Sequence, residues 1–504
     1  MAVPQASAGR SPALGRGMID AGLSFSSSVL LGIISALLIS RIYGIAVVGE
    51  FALLTAPYAM AMQFSTFGEQ LAMVRSLSLE SARSARTVSL FLVVLAFSTL
   101  LTTIATIIST LLAYALLRYV VHRADLFVSC VTMLLFYLFI GNVSWNIDRL
   151  LASIRATRAL LGTRLVELVG VLTASILFGV LSPPDAWGLV WATVTAGTLA
   201  LSVRVLVVRR LVTGRPTRES IRAASRELPD LIRFGANTVP GTIANGISGP
   251  AGTWVVGAVR SIDVLGGYSR AYNLASRLNE AGYRLGEVIL TVLSAACQDE
   301  RHDVAAAQFS RWRFSVITGL LAACVPLAGA GHGVLAVFGP GFAQTWVAFG
   351  VLLVAFAMSV LSVMHCEFLY ALGSPKRVSQ MWIARSVLTL ATVAPFTLVL
   401  GATGTAISVG LGFLIELIGT MTSVERRLRE KGQRTKRLPW ISLALATALS
   451  YLTARVVDAA VPSLAGTAIA LTGGITVFLV VLVAYGVVRP REVRESVSRL
   501  GLRR

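Results

Sequence analysis

A chain of 504 residues that is 55% hydrophobic and only 13% charged, with a mean hydropathy of +0.77, is too apolar for a soluble domain, where roughly a quarter of residues carry charge. Its formal charge of +20 would suggest nucleic acid in a soluble protein. Here the basic residues stand in short segments between apolar runs, so they read as topology signals and leave no case for a nucleic-acid partner.

Residues 1–17, with Arg10 and Arg16, read as a cytoplasmic tail entering a retained first helix, because no small-residue cleavage site follows. Apolar runs then recur, each long enough to cross about 30 Å of hydrocarbon as a helix, which is the form a backbone takes in lipid to satisfy its own hydrogen bonds. The first six lie at 18–40, 51–74, 88–117, 126–148, 160–182 and 186–208. A basic connection with Pro216 and Pro229, residues 209–233, is the longest break in the pattern. Six further spans follow at 234–259, 264–294, 314–337, 343–371, 378–400 and 402–424, then a basic loop at 425–437. A last pair occupies 438–460 and 464–488 ahead of a basic tail, 489–504. The expected architecture is an all-α integral membrane protein of about 14 transmembrane helices, with an N-lobe over 18–208, a C-lobe over 234–424 and a C-terminal helix pair over 438–488.

With 14 spans, 35 of the 44 Lys and Arg residues fall on the side that holds both termini. The opposite side receives Arg41, Arg118, Arg123, Arg260 and Arg455. The positive-inside rule therefore puts both termini in the cytoplasm. The four cysteines, Cys130, Cys297, Cys324 and Cys366, are far apart, form no C-x-x-C pair and read as small buried apolar residues.

At an offset of 217 residues Val48-Gly49-Glu50-Phe51 matches Leu265-Gly266-Gly267-Tyr268, and the first span aligns with the seventh. The two lobes are thus expected to be an internal repeat in one orientation, with the last pair appended.

Leu31 to Leu54 resembles the first helix and turn of bacterial polysaccharide and O-antigen flippases, through Arg41, Gly44, Gly49 and Phe51. Val264 to Leu278 is similar to the equivalent element of the second half, through Gly267, Tyr268 and Ala271, and Phe368 to Lys376 to the exit of the tenth helix. The resemblance covers about 20–430 and implies the multidrug, oligosaccharidyl-lipid and polysaccharide exporter superfamily, with two six-helix lobes around a central cavity. It implies a flippase moving a polyprenyl-pyrophosphate-linked oligosaccharide from the cytoplasmic to the outer leaflet of the bacterial inner membrane for cell-surface polysaccharide synthesis.

Once the charges near span ends are assigned to the loops, Arg270, Arg277, Arg284 and Arg385 remain within the spans. A central Arg costs about 2.5–3.5 kcal/mol on insertion scales, so such residues face a cavity or a partner. Arg270, Arg277 and Arg284 recur at seven-residue spacing, where the drift is only about 20° per heptad, and form one cationic stripe suited to phosphate oxygens. The alternative is that the outer two snorkel to the interfaces while Glu280 and Glu287 neutralise Arg277 and Arg284. Tyr268, Tyr272, Asn273 and Tyr283 are candidate sugar contacts or interfacial aromatics. Arg385 either extends the cavity charge or snorkels. Asp20, Glu69, Glu167, Glu367 and Glu416 are candidate ion-pair or coupling carboxylates, Glu416 the most central.

Span seven carries Pro240, Gly241, Gly249 and Pro250, so it is expected to be a bent or locally unwound hinge, or else a plain packing kink. There is no G-x-x-x-x-G-K-[ST] loop and no clustered Cys and His, so neither a cofactor nor a metal is expected. The competing functions are a cation-coupled drug exporter of the same superfamily, a non-transporting scaffold, and a membrane glycosyltransferase, ligase or polymerase. The short outer loops speak against the enzymes. Expected partners are the lipid-linked glycan, anionic membrane lipids along the basic tail, and glycan polymerases or glycosyltransferases.

Overall fold

The computed structural model describes residues 12–65, 73, 76–77, 83–154, 156–236, 239–435 and 438–487; the side chains of 12–28, 284 and 287, among others, lie outside that description. The described residues form helices joined by short turns and loops, without a strand. The helices are α1 (Pro12–Phe64), α2 (Ala85–Ala115), α3 (Phe127–Phe136), α4 (Asn142–Ser153), α5 (Thr157–Leu181), α6 (Ala186–Leu211), α7 (Arg218–Ala236) and α8 (Val239–Val259). They continue as α9 (Ile262–Gln298), α10 (His302–Gly329), α11 (Gly331–Ala336), α12 (Trp346–Ala371), α13 (Pro375–Leu400), α14 (Ala402–Glu430), α15 (Trp440–Ala460) and α16 (Leu464–Ala484). Polar residues just outside the apolar runs set several starts: Ser84, Asp185 and Ser463 accept from the backbone N–H of Thr87, Gly188 and Gly466 and cap α2, α6 and α16.

α1 is two helical segments merged across a kink and not one straight helix. Gly44 sits at φ 77°, ψ 174°, a backbone conformation that a side chain would oppose. Contacts show the chain folding back there. Gly32 lies beside Arg277 and Gly266 beside Ile45, so the first half runs antiparallel to α9. Beyond the turn, Gly49 meets Ile262, Leu53 meets Gly257 and Gln63 meets Gly246, so the second half runs back along α8.

Eleven helical stretches among the described residues are long and apolar enough to cross a membrane, and Val29–Phe64 counts as one of them although it turns back on itself. The expected spans 234–259 and 264–294 are helical too, as α8 and α9. They fall outside the eleven because α8 is rich in Gly and Pro and α9 carries embedded charge. This is a multi-pass membrane protein.

Several turns between distant helices meet at one end of the helix array. Arg41 Nε donates to Val337 O (2.8 Å), Tyr43 to Ser175 O (2.9 Å), Arg123 to Glu50 (2.6 Å) and Arg260 to Leu398 O (2.9 Å). At the same level Arg455 lies 4.3 Å over the Trp346 ring and Asp458 accepts from Gly333 N. The few arginines on this face therefore carry structural duties, closing carbonyl ends and pairing acids. Asp125 and Glu50 hydrogen-bond Arg123 and raise its pKa above the ordinary value, so it stays charged.

Packing separates two groups of helices. α1 with α5, α5 with α6, and α2 with α7 build the first; α12 with α14, α9 with α12, α13 with α14 and α8 with α13 build the second. α1 leans on α8 and α9 and so joins the two, while α15 and α16 pack on each other and on α10. The first group has a polar interior: Ser98, Asn142 and Asn146 are mutually hydrogen-bonded and fully buried. Below them Arg204, whose side chain is 2% exposed, is held by Asp148 (2.9 Å) and Glu167 (2.6 Å).

Candidate functional site

A cavity of about 310 Å³ lies where α1 meets the second group. α1 contributes Thr55 and Gln63 among small alanines, α8 contributes Asn245 and Thr253, and α9 contributes Ser269, Tyr272, Asn273, Asn279 and Tyr283. Phe356 and Ser359 come from α12, Arg385 from α13 and Phe413 from α14. Small residues make the room. Gly249 has open space where a side chain would stand, and Gly246 lies so close to Gln63 and Phe64 of α1 that a methyl group would push them away.

Pro250 stands inside α8, and the helix is nevertheless unbroken from Val239 to Val259. The expected local unwinding is not present. Pro240 occupies the second position of the helix, where the missing N–H has no intrahelical partner to lose. Pro250 is different, because it has no N–H to return to the carbonyl of Gly246 on the cavity wall. Gly241 serves packing: a Cβ there would press on Ser379 and Trp382 of α13.

Arg385 is the one charged side chain named in the wall among the described residues, and it does not stand alone. Its Nη1 donates to Glu416 Oε2 at 2.7 Å, Nη2 donates to Asn245 Oδ1, and the guanidinium lies 4.9 Å from the Phe413 ring centre. Glu416, 2% exposed, also accepts from Ser362 (2.8 Å). The pair spans α13 and α14 and is hydrogen-bonded to α8 and α12, so the wall behind the cavity is electrically balanced. An aromatic arc continues from Phe413 to Phe356 (5.5 Å), Tyr272 (5.2 Å) and Tyr268 (6.0 Å).

The expected arginine stripe has another place. On α9 the cavity face carries Ser269, Tyr272, Asn273, Asn279 and Tyr283, while Arg270 and Arg277 stand about a quarter turn away and are not in the wall. Their face is turned to α1: the Arg277 guanidinium is 3.2 Å from where a Cβ on Gly32 would sit. Arg277 is half-exposed and pairs with Glu280 at 2.6 Å. Arg270 is 9% exposed, and its Nε is enclosed with no hydrogen-bond partner. The structure thus brings Arg385, Tyr272, Asn273 and Tyr283 together at the cavity and sets Arg270 and Arg277 on the seam beside it. The side chains of Asp20, Arg284 and Glu287 and the whole of Glu69 lie outside the described residues.

Glu167 pairs with Arg204 of α6 and is not in the cavity wall, and Glu367 lies against Gly286 of α9. Asn245, Asn279 and Gln63 join the site although the sequence singled out none of them. Asn245 stands one turn before Pro250 in a Gly-rich helix, a place where a polar residue serves no backbone need, and that was the available signal.

A family model described as polysaccharide biosynthesis protein matches residues 14–280. No curated protein matches the sequence. Among solved structures, the chain is similar to a lipid II flippase, MurJ, in an inward closed conformation: TM-score 0.61 at 13% identity, covering 92% of this chain and 98% of that one. It is also similar to an inward-facing multidrug resistance transporter of the MATE family and MOP superfamily (TM-score 0.54, 15% identity, 79% and 95% covered). A MOP superfamily transporter from Pyrococcus furiosus, described as having a binding pocket of reverse polarity, gives a TM-score of 0.55 at 14% identity, with 82% and 95% covered. At these identities the likeness speaks for the fold alone.

Proposed function

Since this chain belongs to the polysaccharide biosynthesis protein family, we propose that it is a flippase, which carries a polyprenyl-pyrophosphate-linked oligosaccharide from the cytoplasmic to the outer leaflet by alternating access between its two lobes. The observation that carries this reading is the pairing of a cavity lined by amides, hydroxyls and aromatic rings with an arginine-bearing seam on the same helix, α9. A lipid-linked sugar has a polar head, a doubly charged diphosphate and an apolar tail. The cavity suits the head. Arg277, half-exposed between α9 and α1, and the unpartnered Arg270 suit the diphosphate, because a guanidinium binds phosphate oxygens in pairs. The tail then stays in the bilayer, where no protein surface has to be built for it.

Placement in a bacterial inner membrane with both termini cytoplasmic, and partnership with the glycosyltransferases and polymerases that make and use the cargo, follow from this reading. So does the absence of a catalytic role. A drug exporter for cationic compounds would be expected to offer a carboxylate to its cargo, and the wall residues supply Arg385 instead, with Glu416 behind it.

Depleting the protein in its host and measuring lipid-pyrophosphate-linked glycan on each leaflet tests the reading. Accumulation on the cytoplasmic leaflet with loss of surface glycan is expected, and an unchanged distribution would overturn it. Arg277→Gln is expected to lower transport about tenfold or more, by loss of charge-assisted hydrogen bonds, while membrane insertion is unchanged. Full transport by that variant would remove the seam from the mechanism.

A further inference from the structure

We infer that the central cavity selects an uncharged, hydroxyl-rich sugar next to the carrier diphosphate and discriminates against acidic sugars; this deepens the flippase reading and rests on it. Three observations lead there. The guanidinium of Arg385 is already neutralised by Glu416 at 2.7 Å and engaged by Asn245, so it offers no free charge to a carboxylate in the cavity. Drawing Arg385 toward a ligand anion would leave the Glu416 carboxylate, 2% exposed, with Ser362 as its one remaining hydrogen-bond donor among the described residues. Such an uncompensated buried charge is strongly unfavourable.

The remaining polar wall groups want hydrogen bonds and not charge. The amide oxygen of Asn279 is enclosed without a partner, and Pro250 leaves the carbonyl of Gly246 without its helical donor. Both are acceptors, which sugar hydroxyls or an acetamido N–H satisfy and a carboxylate cannot. The third observation is the aromatic arc. Tyr272 and Phe356 stand edge to face at 5.2 Å on adjacent helices and present ring surface against which the C–H faces of a pyranose pack. The arginines that would hold anionic charge, Arg270 and Arg277, lie about a quarter turn round α9 on the seam with α1, so sugar and diphosphate are read by separate parts of one helix.

The test uses the full chain in nanodiscs of neutral lipid and three probes: farnesyl diphosphate, the same diphosphate linked to N-acetylglucosamine, and the same linked to glucuronic acid. The N-acetylglucosamine probe is expected to bind tightest and the glucuronic acid probe about tenfold weaker or worse. Asn279→Ala and Tyr272→Ala are expected to lower binding of the N-acetylglucosamine probe towards that of the bare diphosphate. Glu416→Gln frees the Arg385 charge and is expected to favour the glucuronic acid probe; the comparison on the unaltered chain decides the matter even where that variant does not insert. Equal binding of the two sugar probes, or a sugar that adds nothing, overturns the inference with the flippase reading intact. Failure of all three probes, the bare diphosphate included, overturns the flippase reading itself.

Discussion

Arg204 and Arg385 show how burial decides what an embedded arginine does. Arg385 is fixed at a cavity wall by one carboxylate and one amide, whereas Arg204 is enclosed between Asp148 and Glu167 and is not part of that wall. From the sequence Arg204 reads as a loop charge at the end of a span, because its acids are 56 and 37 positions away and nothing local marks the pairing. Removing a buried partner leaves the other charges uncompensated. Arg204→Gln is therefore expected to destabilise the protein by about 3–5 kcal/mol, seen as a lower unfolding midpoint in detergent. An unchanged midpoint would mean that water reaches Asp148. Arg277 differs again: its partner Glu280 is three residues on, and the sequence shows the pair directly.

At the scale of elements, the crossing of α1 and α9 is the closest helix contact that bears on the cavity. A Cβ on Gly49 would collide with the carbonyl of Ile262, and a Cβ on Gly266 with the carbonyl of Ile45. Glycines at the two positions let the backbones touch, and the contacts are reciprocal at the 217-residue offset found in the sequence. Gly266→Leu is expected to cost about 1–3 kcal/mol through overpacking, against a smaller effect for Gly319→Leu in α10, where an added Cβ meets nothing within 4 Å. Equal midpoints for the two variants would show that α1 and α9 separate freely. The rotation of α9 belongs to the same scale. Heptad spacing was enough to align the arginines on one face, yet which neighbour that face meets depends on where α1, α12 and α14 pack.

For the whole molecule, the turns at Gly44, Arg123, Arg260, Gly339 and Asp458 lie on one side, bound by contacts between distant segments. Cysteine labelling from the two sides of the membrane tests the proposed orientation. In a background with the half-buried Cys297 changed to Ser, Ser182→Cys is expected to react with an impermeant reagent added to intact cells. Arg434→Cys is expected to react only in inverted vesicles. The opposite pattern would turn the molecule over and reverse the direction of transport. The three other cysteines are buried and contribute little background.

What the sequence determined by itself was that this is an all-helical, multi-pass membrane protein, since that follows from the length of apolar runs, a local property that lipid imposes. The resemblance carried by Arg41, Gly44 and Gly49 marked the first reversal, where Gly44 takes the positive φ that a side chain would oppose. The tertiary structure alone decided that Arg385 is neutralised by Glu416, that Asn245, Asn279 and Gln63 line the cavity, and that the Arg270 and Arg277 face lies on the α1 seam. Each of these is a relation between residues on different helices. Periodicity fixes the direction of a side chain relative to its own axis, and only helix packing fixes what stands opposite.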